Sequence, residues 1–174
     1  MKDFAQWLSL TAPSVWMQVN EKWVIPGIQT VHIAGIGVVL GSVLMITLRV
    51  LGLAGTDRTV LQTQERFGPW LTGALLVLLV TGLGLIVGEP GRELLAFSFW
   101  LKMGLVACGA GLSMWFAHSV RRDPRGWERA IEARRMGVRV LTVAAVLVWI
   151  AIIFLGRFIA YDHIWGSLSG STKA

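Results

Sequence analysis

The sequence predicts an all-α fold: a bundle of four transmembrane helices preceded by short amphipathic helices at the membrane surface. Three observations carry that prediction. Of 174 residues, 55% are hydrophobic and only 15% charged, against roughly 25% charged in soluble domains. The apolar residues gather in four runs, at residues 26–48, 69–88, 94–120 and 138–161. At about 1.5 Å per helical residue, each run is long enough to cross about 30 Å of hydrocarbon. Finally, most charges fall between the runs. A barrel is excluded, since its strands would read as alternating segments of about ten residues, whereas these runs are longer and apolar on every side. Residues 1–174 are therefore read as a single integral membrane domain.

In residues 1–25, Phe4, Trp7 and Leu8, then Val15, Trp16, Val19 and Trp23, are interspersed with polar residues and interrupted at Pro13. This spacing predicts two short helices lying on the outer membrane surface. The amino terminus has no basic start followed by an apolar run and a small-residue cleavage site, so no signal peptide is expected and the first span directs insertion itself. Within the spans, Gly37 with Gly41 and Gly84 with Gly88 have the small-residue spacing that lets helix backbones approach closely in lipid. Trp7, Trp16, Trp23, Trp70, Trp100 and Trp165 fall near expected water–lipid boundaries, where indole rings anchor. Cys108 lies alone in an apolar run, which excludes a disulfide framework within the chain and predicts simple packing. The tail, residues 166–174, is small and polar.

The connections set the expected orientation. Residues 49–68 carry Arg49, Arg58 and Arg66 against Asp57 and Glu65, and residues 119–137 open an arginine-rich loop. That loop holds Arg121, Arg122, Arg125, Arg129, Arg134, Arg135 and, just beyond, Arg139, offset by Asp123, Glu128 and Glu132. The turn at residues 89–93 and the two terminal segments are together close to neutral. The positive-inside rule then places both arginine-rich connections in the cytoplasm and both termini outside, which is the periplasm for a bacterial inner membrane. The formal net charge of +6 is accounted for by topology and anionic lipid, or by a docking surface. Nothing interleaves aromatic and basic residues as nucleic-acid binding would require.

Polar residues inside the runs are the candidates for function. His32 lies six residues past Pro26, about 9 Å into the hydrocarbon, and helical spacing groups it with Gln29, Gly35, Val39 and Ser42. The opposite stripe, Thr30, Ala34, Gly37 and Gly41, is expected to be the packing ridge, with Gly35 opening space beside the imidazole. Three readings stay open: a hydrogen bond to a neighbouring helix, a haem-iron ligand, or another ligand site. Lys102 and Arg157 fall at the same depth, with Tyr161 one turn beyond Arg157, so the set could hold haem propionates, a quinone carbonyl or an acidic substrate. Each long cation could instead extend outward to water or phosphate. Their candidate counter-ions are Glu89, Glu93 and Asp162. Met103 and His163 are the candidates for a second axial ligand beside His32 as metal ligand. His118 lies about 30 Å from the outer surface, close to the cytoplasmic edge, and cannot share that iron.

The runs Trp23-Val24-Ile25-Pro26-Gly27-Ile28-Gln29-Thr30-Val31-His32-Ile33-Ala34-Gly35 and Leu48-Arg49-Val50-Leu51-Gly52 are similar to those of an uncharacterised family of bacterial four-helix membrane proteins. Its pattern is Pro-x-x-Gln-x-x-His-x-x-Gly followed by Asp-Leu-Arg-Leu-Leu-Gly. Phe99-Trp100-Leu101-Lys102, Phe116-Ala117-His118 and Gly156-Arg157-Phe158-Ile159-Ala160-Tyr161 extend the likeness over most of the chain. Thr47 stands where the family pattern has aspartate, so an acid has no role at this position here. The family is a domain of unknown function, and the resemblance implies only that His32, Lys102, Arg157 and Tyr161 form a set. More loosely, the bundle resembles membrane cytochrome b subunits that pass electrons between periplasmic partners and quinone.

Hydrolysis is excluded by the lack of a phosphate loop, a His-Glu-x-x-His pair or paired carboxylates within a span, and proton pumping by the lack of a central Asp or Glu. The expected function is a haem b- or quinone-binding redox or anchor subunit, partnered by lipid and by periplasmic or membrane redox proteins. The alternatives are an accessory or assembly subunit in a homo-oligomer or hetero-complex, or a carrier for a small organic anion.

Overall fold

The computed structural model describes residues 2–94 and 97–159, with the side chains at 92, 97, 98 and 157–159 outside that set. The described chain is all-α. Its elements are α1 (Lys2–Ser9), α2 (Ala12–Val19), α3 (Glu21–Leu51), α4 (Val60–Gly88), α5 (Pro90–Leu94), α6 (Phe97–Arg122), α7 (Pro124–Glu132) and α8 (Met136–Ile159). Four of these, α3, α4, α6 and α8, are long and apolar enough to cross a bilayer, which makes this a multi-pass membrane protein.

The spans differ from expectation at their ends. Helix α3 begins at Glu21 and runs through Pro26, and α4 begins at Val60 and runs through Pro69. Both prolines had marked the expected starts, because proline removes a backbone donor and usually sits in a first turn. The true start of α4 is a capping box. Thr59 Oγ1 accepts from the Gln62 backbone N–H at 3.2 Å, and Gln62 Oε1 accepts from the Thr59 N–H at 2.9 Å, so the polar stretch before Pro69 is helix and not loop. Helix α3 ends at Gly52, whose φ of 72° is the left-handed conformation that glycine adopts without a Cβ clash. At the amino terminus the break falls at Leu10 and Thr11, and Pro13 lies in the first turn of α2.

Successive contacts fix the topology. Ile25 meets Gly88, Ile28 meets Gly84, His32 meets Thr81 and Gly35 meets Leu78, so α3 and α4 are antiparallel with Gly84 and Gly88 in their seam. In the same way Lys102 lies beside Gly156 while Gly109 meets Trp149, which makes α6 and α8 antiparallel. Contacts of α3 with α8 and of α4 with α6 close the ring. The central core is Val39, Val43, Leu71, Ala74, Trp149 and Ile152. One end is covered by α1 and α5, where Ala5, Leu94 and Phe99 cluster.

The outward and inward faces of α3 are the reverse of those expected. Thr30, Ala34, Gly37 and Gly41 are exposed, with nothing within 4 Å of where a Cβ would stand on either glycine, whereas Gly35, Val39 and Ser42 are buried. The reason is general in lipid: the partner helix wants a matched surface, and Gly35 offers Leu78 a recess while the outer stripe can face lipid. Cys108 is also exposed, not packed.

The expected loop at 119–137 contains α7. Asp123 Oδ1 caps it by accepting from the Gly126 N–H at 2.8 Å, and Pro124 occupies the first turn. Trp127 and Ile131, one turn apart, join Ile46, Val50, Val60, Phe116 and Val120 in the core at this end. Trp127 stands edge-on to Phe116 with centroids 4.9 Å apart, and its Nε1–H donates to Ser119 Oγ at 3.0 Å. On the same helix Glu128 pairs with Arg49 at 2.9 Å. Its other oxygen accepts from the Val60 N–H in the first turn of α4, and Arg49 Nε donates to the Arg58 carbonyl. One carboxylate thus ties the end of α3 to the start of α4.

Removing one partner of a buried pair leaves the other uncompensated, and Arg49 is only 8% exposed. Because Glu128 is itself partly exposed, Glu128→Ala is expected to cost about 1–3 kcal/mol, below the full cost of breaking a buried pair. Arg49→Met combined with Glu128→Leu is expected to recover most of that loss. Reversible unfolding in mixed micelles measures both.

Candidate functional site

Helix α3 carries His32 on the face that meets α4. Its Nδ1 is 2.7 Å from Thr81 Oγ1, and the Thr81 hydroxyl donates to the Val77 carbonyl at 2.6 Å. A threonine hydroxyl has one proton, so once Val77 takes it the oxygen accepts from His32 Nδ1–H. This geometry assigns the tautomer in which Nε2 keeps its lone pair. The ring lies along Gly82, where a Cβ would be 3.6 Å from Cε1. Of the readings open from sequence, the hydrogen bond to a neighbouring helix is present.

The space expected beside Gly35 is filled. A Cβ on Gly35 would stand 3.1 Å from Leu78 Cδ2, so this glycine admits the neighbouring helix and its recess is occupied by Leu78. Gln29, one turn before His32, is partly buried.

Lys102 reaches the same level from α6. It is partly buried, with its Cδ 4.0 Å from where a Cβ on Gly156 would be, so its stem lies along α8. At the same end of the bundle Glu93 is buried in α5. Arg157 follows Gly156 on the α8 backbone and so shares this level, but its side chain, Tyr161, Asp162 and His163 lie outside the described residues, as do Trp165 and the tail. Met103 packs against the Ala5, Leu94 and Phe99 cluster. His118 is exposed toward the other end of α6, on the outer side shared with Gly104, Ala107 and Gly111.

The structure therefore sets His32 against Thr81, with Lys102 of α6 and a buried Glu93 of α5 toward the same end of the bundle. Thr81 was legible in principle, being the one hydroxyl in the glycine and aliphatic stretch from 73 to 88. The chemistry on offer is an imidazole nitrogen that accepts, an ammonium that donates, and a carboxylate that offsets the ammonium. Among the described residues no three His, Cys, Asp or Glu side chains are placed to hold a metal ion together.

A family model described as a family of unknown function (DUF6644) matches residues 24–162. The chain belongs to this family. The DUF6644 match spans all four long helices and includes His32, Thr81, Glu93 and Lys102, while α1 and α2 lie ahead of it. No curated protein and no solved structure matches the chain.

Thr81→Val keeps the shape of the side chain but removes the acceptor for His32 Nδ1–H. It is expected to cost about 1 kcal/mol and to release the ring into a mixture of tautomers. Nitrogen chemical shifts of ¹⁵N-labelled histidine report the tautomer, and unfolding in micelles reports the stability.

Proposed function

We propose that this DUF6644 protein is a membrane redox or anchor subunit that holds a quinone head group at the level of His32 and Lys102. The observation that carries the reading is the His32–Thr81 hydrogen bond at 2.7 Å, which fixes the imidazole and leaves Nε2 as an acceptor. A quinone alternates between a carbonyl that needs a donor and a hydroxyl that needs an acceptor. Lys102 supplies the first and His32 Nε2 the second, with Glu93 offsetting the ammonium charge. Haem b is the other occupant expected from sequence. Leu78 against Gly35 takes the room that a porphyrin would need there, which favours the smaller ring. On this reading Gln29, Arg157 and Tyr161 belong to the polar edge of the site.

The arginine-rich connections and the even number of spans support an orientation in a bacterial inner membrane with α7 in the cytoplasm and both termini in the periplasm. The site is then in the outer leaflet, within reach of a periplasmic or membrane-bound redox partner.

A second reading, an accessory or assembly subunit, is favoured by the exposed stripe of Thr30, Ala34, Gly37 and Gly41. Bare helix backbone facing outward suits another transmembrane helix. Under this reading Gly37→Leu disrupts a stoichiometric complex and leaves any bound cofactor untouched.

Solvent extraction of protein purified in mild detergent, followed by chromatography, is expected to yield quinone close to one per chain. His32→Ala and Lys102→Met are expected to lower it by at least about tenfold, each equivalent to about 1.4 kcal/mol of binding or more. A Soret band and a positive pyridine haemochrome assay would move the reading to haem. Neither quinone nor haem in wild type, after incubation with added quinone, would sink it.

A further inference from the structure

A cavity of about 30 Å³ lies among the four long helices, toward the arginine-rich end and away from His32. Each helix contributes one polar residue to its wall: Thr47 from α3, Gln64 from α4, Ser113 from α6 and Thr142 from α8, with Leu71 and Phe116 among the apolar remainder. The three hydroxyl protons are already committed. Thr47 donates to the Thr142 carbonyl at 3.3 Å, Ser113 to the Gly109 carbonyl at 2.8 Å and Thr142 to the Val138 carbonyl at 3.1 Å. Their oxygens therefore have lone pairs left to offer.

Gln64 is only 2% exposed, and its Oε1 has no hydrogen-bond partner among the described residues. A buried amide oxygen without a donor is costly in hydrocarbon, where no bulk water stands in for one. The Gln64 oxygen therefore calls for a donor that the described residues do not supply.

Size and chemistry together define the guest. It must donate hydrogen bonds, because the hydroxyls on the wall can only accept. It must also be small, since a water needs about 10–15 Å³ of such space and the cavity has about 30 Å³. We infer that this cavity is a binding site for a small O–H donor, held among all four spans by Gln64, Thr47, Ser113 and Thr142. The O–H group comes either from one or two water molecules or from the hydroxyl end of a lipid-soluble alcohol entering between helices. The site is separate from His32, and the inference stands whether or not a quinone binds there.

Nuclear Overhauser measurements in the rotating frame, on full-length protein with ¹⁵N-labelled glutamine in deuterated micelles, test this. The Gln64 side-chain amide is identified by its loss in Gln64→Leu or, if that variant folds poorly, by its shift in Gln64→Asn. A direct cross-peak from that amide to water is the expected result and identifies water as the guest. A cross-peak only to the ring protons of added benzyl alcohol supports the site and assigns it to a lipid-soluble alcohol. With the amide resolved and assigned, absence of both cross-peaks would overturn the inference.

Discussion

The arrangement of the helices turns on one carboxylate. Glu128 faces the Arg49 guanidinium with one oxygen and the first backbone N–H of α4 with the other. It therefore settles two problems that a membrane helix cannot leave open: a cation drawn in from the surface, and a helix start whose N–H groups lack acceptors. Only residues 52–59 separate α3 from α4, and Arg49 also binds the Arg58 carbonyl within that stretch. The tight turn, the register of α3 against α4 and the seat of α7 all meet at this point. Register matters because the seam between α3 and α4 also places His32 against Thr81.

The polar residues divide between the two ends of the bundle according to what each end can solvate. At the arginine-rich end, charge pairs with charge across elements, and Trp127 and Ile131 cover the apolar remainder. At the other end α1, α2 and α5 close over the spans. There Ser14 and Met17 of α2 are buried, as is Glu93 of α5, and the partly buried Lys102 lies on α6. In between, hydroxyl groups return their protons to carbonyls one turn back, as Thr81 and Ser113 do, so they cost little in lipid and keep an oxygen available to accept. This habit fixes the imidazole tautomer at one level of the bundle and gives the internal cavity its acceptor character at another.

The number of spans was legible in the sequence because crossing a bilayer imposes a length and a polarity on each run. Their facing was not. Lipid and protein interior are equally apolar, so hydrophobicity carries no sign for in or out, and the glycines of α3 point both ways: Gly35 inward, Gly37 and Gly41 outward. Helix α7 was hidden by its charges, since Trp127 and Ile131 are a minority among arginines and glutamates and read as a loop until the Asp123–Pro124 start is given weight. Pro69 misplaced the start of α4 because the capping box at Thr59 was the stronger signal, and α3 likewise begins ahead of Pro26, at Glu21, without a side-chain cap. At the site, ionisable residues stood out against the apolar runs, which is why His32 and Lys102 were singled out. Thr81 was passed over because a lone threonine in a helix is usually satisfied by its own backbone, and here it is satisfied while also serving a neighbour.

The clasp at Glu128 also imposes an order in time. A chain emerges from the ribosome amino terminus first, and α3 with α4 makes a hairpin of sequence-local contacts that can form as soon as both have left. Yet the second nitrogen of Arg49 and the opening N–H of α4 find their acceptor only on residue 128, which is synthesised after α6. The first hairpin is thus born with an open joint at its tip, and the second hairpin closes it on arrival. Assembly of the two halves is in this sense a latch: the early half is held ready by the turn at 52–59, and the late half supplies the bolt.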